Sequence, residues 1–402
     1  MPPFDDAALL ALRSEFPILS RCVYMISNSL GAMPRAAAEQ LAAYADGWAS
    51  RGVRIWEEGW WDIAISLGDR VGAVVGAPPG SITMQPNVTS AEMVLLSCFR
   101  FDGRRRKVVL LDMEFPSIQY LYEAHRASGA EIVRIPSEDG VTIPLDRLLK
   151  AIDRDTLLVP ISHVLFRSAY VVDAAAIVAR AREVGALVIL DVFQSAGTMP
   201  VDLAGLGVDA AVGGCLKWLC GGPGACFLYV RPDLADRLEP RFTGWCAHES
   251  PFEFEAGPTR RARGARRFLT GMPAVPALYA ARAGIDIVAG AGIDAIRAKS
   301  IRQTRLAIEE ADALGLRVNT PRRDADRGGT VSIEPPDAAA APAVCRELLR
   351  REFVVDYRPL AGIRLSPHFY STDDEVRATV REIRKVADEL GGARRGAESA
   401  PR

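Results

Sequence analysis

The 402-residue sequence predicts an α/β fold: a large domain with a mostly parallel sheet flanked by helices, joined to a smaller α+β domain. Three observations carry that expectation. The middle third alternates short, β-branched apolar runs with helical segments, the pattern of βαβ units. The length suits two domains at roughly 150 residues each. Past Pro276 the texture changes to long helical stretches separated by isolated short strands.

In chain order, residues 7–16 read as an amphipathic start that precedes the sheet region, so residues 1–45 are expected to pack with the smaller domain. Residues 46–276 form the expected large domain. Within it, 108–112 (VVLLD), 131–136 (EIVRIP), 157–164 (LLVPISHV), 187–192 (LVILDV), 210–213 and 226–231 (CFLYVR) are short apolar runs. Most are bounded by Gly, Pro or charge, as buried parallel strands are. Between two of them Asp173 is a natural N-cap, apolar residues recur at helical spacing, and Gly185 suits the position just past the helix end. Strand, helix and strand with short links give right-handed crossovers and a sheet covered on both faces. Residues 277–392 make the expected small domain: a helical stretch at 277–314, a strand at 330–335 (TVSIEP), a helix at 343–351, strands at 354–357 and 363–365, and a last helix from Asp373. Residues 393–402 are expected to be a disordered, solvated tail.

Composition narrows the function. The 49 Lys and Arg nearly balance 50 Asp and Glu, for a formal charge of −1, which argues against a nucleic-acid binder. No run reaches the ~18 apolar residues of a membrane helix. The start, MPPFDDAALL, is acidic and lacks the basic and apolar regions of a secretory signal, so a cytoplasmic location is expected. The seven cysteines are scattered without a CxxC pair, so neither a metal site nor a disulfide framework is expected. Only five of the 49 basic residues are lysine. A lysine in an apolar, glycine-rich setting is therefore notable.

Ligands of open parallel sheets sit beyond the carboxyl ends of the strands. Asp191 ends LVILD, and Lys217 follows AAVGGCL just before GGPG. Each alone has an ordinary reading, a turn residue or a snorkelling lysine. On successive strand ends the two need a joint explanation, because a carboxylate there is costly unless something cationic meets it. Pyridoxal 5'-phosphate supplies one. Its aldehyde needs a lysine amine, and its pyridine nitrogen needs a carboxylate to stay protonated. Its phosphate needs donors, for which Thr89 and Ser90 at a helix start in NVTS are candidates. Its ring needs a flat cover, for which Phe115 in EFPS is a candidate. His248 in GWCAH is a candidate for substrate binding or acid–base work, or for a structural hydrogen bond. Cys246 beside it reads as a small buried hydrophobe. His163 and His368 are expected within reach of the site, without assigned roles.

With these residues in view, the sequence resembles the kynureninase branch of the class V aminotransferases, fold-type I pyridoxal-phosphate enzymes. The resemblance runs from YMISNSLG (24–31) to IRLSPHFYST (363–372) and is densest in ISHVLFRSAYVVD, LDVFQSAGTMPVDL and GVDAAVGGCLKWLCGGPG. It implies that Lys217 holds the cofactor aldehyde, Asp191 pairs with the ring nitrogen, Gln194 bonds the ring oxygen, and Phe115 stacks on the ring. Thr89 and Ser90 would bind the phosphate, and Thr270 would reach the phosphate of a neighbouring subunit, implying a homodimer with shared sites. Arg364 would grip the carboxylate of an amino acid substrate through its fork. Asn28 and Trp245 match positions around the bound substrate and cofactor, Trp245 entering from the partner. The implied reaction is a kynureninase-like hydrolysis, with carbon–carbon cleavage at the β position. Three positions depart from kynureninases: Leu216 stands for Tyr, Gln194 for His and Ile118 for Asp. The missing Tyr is an acid–base group, so transamination, β-elimination and decarboxylation stay open beside hydrolysis. A thiol-based desulfurase is a poor match, because Cys345 lies in an ordinary helical context.

Overall fold

The computed structural model describes residues 5–398. The chain opens with the helix Asp6–Ala11, capped by the Asp5 side chain, and a two-residue strand, β1 (Val23–Tyr24). The large sheet follows. Its strands are β2 (Ile82–Gln85), β3 (Lys107–Leu111), β4 (Glu131–Ile135), β5 (Thr156–Ser162), β6 (Leu187–Asp191), β7 (Ala210–Gly214) and β8 (Cys226–Val230). They lie in the order β2-β8-β7-β6-β5-β3-β4. The pairs from β4 through β7 are parallel, whereas β8 runs antiparallel to both β7 and β2. The expected parallel reading of 226–231 is thus corrected. The link from Gly214 to Cys226 is too short for the crossover that a parallel neighbour requires.

Alternation along these strands builds two cores, one on each sheet face. Val109, Leu111, Val159, Ile161, Val188, Leu190 and Phe227 face one core. Val108, Leu110, Leu158, Ile189, Val212 and Leu228 face the other. The crossover helix Ala174–Val184 begins at Asp173, whose carboxylate accepts from the Ala176 amide at 3.0 Å, and ends at Gly185 in a left-handed conformation. Sequence and structure agree there residue for residue.

The helical stretch expected at 277–314 is two helices, Val275–Ala291 and Ile293–Ala313. Gly292, at φ +82, breaks it, a conformation that glycine adopts without a Cβ clash. Val275, Leu278, Ala281 and Ile285 of the first helix join the large core, whereas Ala307, Ile308 and Ala311 of the second belong to a third core. That third core lies under β9 (Arg317–Val318), β10 (Val331–Glu334), β11 (Phe353–Val354), β12 (Asp356–Arg358) and β13 (Gly362–Leu365). Four of these strands form an antiparallel sheet in the order β12-β13-β10-β9, while β11 pairs in parallel with β1. Met25, next to β1, is fully buried in this third core. The last helix runs Asp373–Glu398 and so enters the stretch expected as a tail; residues 399–402 of that stretch lie outside the described ones. Among the described residues no helix is long and apolar enough to cross a membrane.

Candidate active site

A cavity of about 430 Å³ opens at the carboxyl ends of the central parallel strands. Asp191, Lys217, Gln194, Phe115, Thr89, Asn28 and Arg364 all line it. Residues up to 336 positions apart in sequence, Asn28 to Arg364, are thus gathered in one space. Asp191, Gln194, Lys217 and Phe115 are placed by strand ends of the large sheet or the turns after them, Thr89 by a helix start, and Arg364 by β13 of the smaller sheet. Asp191 is the last residue of β6, paired in register with Ser162 at the end of β5. Lys217 sits three residues past β7. Phe115 caps the start of the helix Pro116–Ala124, just beyond β3.

Lys217 and Asp191 are tuned in opposite directions by the same wall. Burial pushes the lysine amine down to about 8, with the Arg364 and Arg358 charges assisting and Asp191 opposing. Burial pushes the Asp191 carboxyl up to about 6, against the Phe193 amide that donates to its Oδ1 at 2.7 Å and against the Lys217 charge. The ammonium lies 4.3 Å from the centre of the Phe193 ring and 5.8 Å from that of Phe115. Phe193 went unremarked in the sequence, although it stands between Asp191 and Gln194. Its ring fits because residue 214 is glycine: a Cβ there would lie 2.3 Å from the ring edge.

Gln194 is held from two sides. Its Oε1 accepts from the Trp218 indole at 3.0 Å and its Nε2 donates to the Asn28 carbonyl at 3.0 Å. Asn28 is 1% exposed, yet neither atom of its side-chain amide has a partner. A buried amide left unpaired costs on the order of 1–3 kcal/mol, so it marks where a polar ligand belongs. Thr89 lines the cavity in the first turn of the helix Val88–Leu96. Ser90 does not line it, and its amide is taken by the capping Asn87 side chain at 2.8 Å. A helix start with free amides is a place where an anion can be held.

Arg364 reaches the cavity but is already engaged. Its Nε and Nη2 donate to both carboxylate oxygens of Asp356 at 2.7 and 2.5 Å, and its Nη1 donates to the Phe166 carbonyl at 2.7 Å. Arg358, Ser162 and Phe166 also line the cavity and were not foreseen. Behind Ser162 lies Glu114, 2% exposed, which accepts from the Ser162 amide at 2.9 Å and contacts its hydroxyl. Burial pushes the Glu114 carboxyl up to about 8, and the Asp191 charge adds to the effect.

Besides Ser90, three expected site residues lie outside the cavity of their own chain. Trp245, 39% exposed, stacks on Phe254 at 5.7 Å and meets Trp61 edge-on. The Thr270 carbonyl accepts from the Cys246 amide, and Gly244 packs directly against it. His248 accepts from the Ser250 amide at 3.0 Å through Nδ1. His163 and His368, expected within reach, sit behind the wall and do not line the cavity. The first shares its Nδ1 with Ser195 Oγ at 3.0 Å, and the second bonds the Trp218 carbonyl at 2.8 Å. Burial lowers them to about 4 and about 3, so both are neutral at pH 7.

An amine and a carboxyl on neighbouring strand ends, aromatic rings, a helix start and an unpaired amide around one cavity are the parts that pyridoxal phosphate requires. Fold and site define a fold-type I pyridoxal-phosphate-dependent enzyme. The chain belongs to the family described as aminotransferase class-V, whose model matches residues 66–378. It is similar to a kynureninase from Pseudomonas fluorescens, 33% identical over 95% of this chain and 93% of that protein. It is similar also to the uncharacterized aminotransferase YcbU from Bacillus subtilis (strain 168), 32% identical over 92% of this chain and 96% of the other. Among solved structures, an apo cysteine desulfurase from Thermococcus onnurineus NA1 superposes with a TM-score of 0.83 at 21% identity, covering 94% of this chain and 98% of that one. A mutant of C-DES with glycine covalently linked to its PLP cofactor gives 0.84 at 21% identity, covering 94% and 99%.

Proposed function

We propose that the chain acts on an α-amino acid and transfers or eliminates a substituent by a route that needs one proton relay at the substrate Cα. The observation that supports this is the cavity lining. Among the described residues there, Lys217 is the one side chain with a neutral form free to carry a proton at pH 7 to 8. Leu216 and Gln194 stand where kynureninases have Tyr and His.

When bound, pyridoxal phosphate supplies an electron sink for the substrate Cα. Lys217 would hold its aldehyde, and the freed Nζ would then take the proton from Cα. Asp191 would keep the pyridine nitrogen protonated, Phe115 would cover the ring, and Gln194, fixed by Trp218, would face the ring oxygen. Thr89 and the helix start would hold the phosphate, with Ser90 placed to shape that turn. Arg364 would take the substrate carboxylate. We assign Trp245, Thr270 and His248 to the site of a partner subunit, which fits their exposed aromatic setting: Phe252 and Phe254 beside them are 62% and 73% exposed.

Kynureninase-like hydrolysis is the second reading, favoured by the 33% identity over 95% of the chain. It needs acid–base groups for a carbonyl and a water beyond Lys217. The deciding experiment incubates the holoenzyme with kynurenine, 3-hydroxykynurenine and an amino acid panel, with and without a 2-oxo acid. Product only with the oxo acid, or ammonia without it, supports the first reading. Anthranilate and alanine without an acceptor would establish the second.

A further inference from the structure

Two guanidiniums, those of Arg358 and Arg364, reach the cavity wall. This step rests on the reading that an α-amino acid occupies the cavity. Asp356 on β12 lies directly opposite Arg364 on β13, and Arg358 lies two residues past Asp356. Direct opposition and a spacing of two place all three side chains on one face of the strand pair. Both arginines line the cavity. Opposite Arg358 stands Gly362, which has no side chain to fill that place.

A guanidinium has five N–H donors. Asp356 occupies two of those on Arg364, on Nε and Nη2, and the Phe166 carbonyl occupies one on Nη1. The edge that makes the side-on fork is thereby closed to a substrate. What is left is one donor on each terminal nitrogen. Arg358 completes the arrangement. Its Nη1 donates to the Tyr357 carbonyl at 2.8 Å, its Nη2 lies 3.1 Å from the same Asp356 Oδ2, and its side chain is 39% exposed. One carboxylate thus orders two guanidiniums and neutralises one of them. A net positive charge remains against a largely apolar lining that includes Val164, Phe166 and Leu216. Such a charge is satisfied by an anion in the cavity.

The geometry points to Arg358 as a second specificity-determining residue, one that bridges the substrate carboxylate together with the open end of Arg364 while Asp356 fixes both. The side-on edge of Arg364 is taken by Asp356, so its open end and Arg358 share the acid. The substrate class is therefore free α-amino acids, in preference to their amides, esters or amines.

The test titrates the cofactor-loaded enzyme with L-alanine, L-kynurenine and L-alaninamide, following the absorbance of the bound cofactor. The wild type should bind the acids at least about tenfold more tightly than the amide, as a charged contact implies. Arg358→Gln should weaken acid binding by about tenfold and leave the amide within about twofold, with Arg358→Lys between. If Arg358→Gln binds the acids as the wild type does, while Arg364→Gln loses them, Arg358 is an ion-pair partner only and the inference fails while the reading of the site stands. If the wild type does not distinguish acid from amide, the amino acid reading fails and the inference falls with it. Arg358 is partly exposed, so the Gln variant should keep its thermal midpoint. Should it unfold, the acid-to-amide ratio of Arg358→Lys decides: an unchanged ratio overturns the proposal.

Discussion

Asp191 is held in a state that costs the empty protein stability. Its carboxyl titrates near 6 in the fold against 3.8 in an unfolded chain. Between those values the folded protein keeps a proton that the unfolded chain gives up. Its contribution is therefore fully present below about pH 4 and is lost as the pH rises to about 6. In the cofactor-free protein, Asp191→Asn should match the wild type near pH 4 and be more stable above pH 6 by about 3 kcal/mol. Thermal unfolding across that range checks it; equal midpoints at pH 7 would show that the carboxyl is not strained. Lys217 gives the complementary pH dependence. Its amine, near 8, is the reactive form only when neutral, so uptake of pyridoxal phosphate by the apoprotein should speed up as the pH rises and level off above about 8. Borohydride treatment of the loaded protein should fix the label on Lys217, and Lys217→Ala should take none. Both residues were legible in the sequence because a lone acid and a rare lysine end apolar strands. Asn28 was reached only through the resemblance, since nothing local says that the segment 24–31 folds over a site nearly 200 residues away. Arg358 and Asp356 were hidden among 44 arginines and 50 acids, and only strand register singles them out.

Strands were read well where both faces are buried, because continuous apolar runs bounded by turns have few other uses. β2 was missed: ITMQ is short and half polar, and its burial comes from pairing with β8, more than 140 residues further on, and from the helix Ile63–Val75 packed against it. The helix break at Gly292 was missed for a related reason, since a glycine in an alanine-rich run carries no local stop signal beyond itself. The element that most directly positions the site is the turn at 27–31. The Gly31 amide donates to the Leu216 carbonyl at 2.8 Å, stitching the Asn28 segment to the residue before Lys217. A Cβ on Gly31 would fall 2.1 Å from the Lys217 carbonyl oxygen and 3.0 Å from Cys220. Both neighbours are backbone or tightly held, so neither can yield cheaply. Gly31→Ala should therefore destabilise by about 2–3 kcal/mol and weaken cofactor binding as well. Gly103→Ala, where a Cβ meets nothing within 4 Å, is the control. Denaturant midpoints and cofactor titration of the two variants make the comparison; a Gly31→Ala protein as stable as the control would show that the turn can move aside.

At the scale of the whole molecule, Thr270, Trp245 and His248 decide whether one chain is enough. They share a surface segment with Phe252 and Phe254, outside the cavity that holds Lys217. Exposed aromatic side chains packed on one another, beside Thr270 and Trp245, which the resemblance assigns to a neighbour, suit a two-fold contact in which each chain completes the site of the other. Size-exclusion chromatography with light scattering should give a dimer. A sharper check uses two inactive variants. In Lys217→Ala the cofactor anchor is gone, and in Thr270→Ala together with Trp245→Ala the contribution to the partner is gone. If sites are shared, a hybrid dimer contains one site with both defects and one site with neither. Random mixing makes half of the dimers hybrid, and each has one working site of two, so unfolding and refolding the variants together should restore roughly a quarter of wild-type activity. If each chain serves its own site, every site in the mixture carries one defect and no activity returns. The outcome depends on which chain supplies each residue and not on how strongly any one of them acts, which is why the mixture tests the assembly where single substitutions test only the residue.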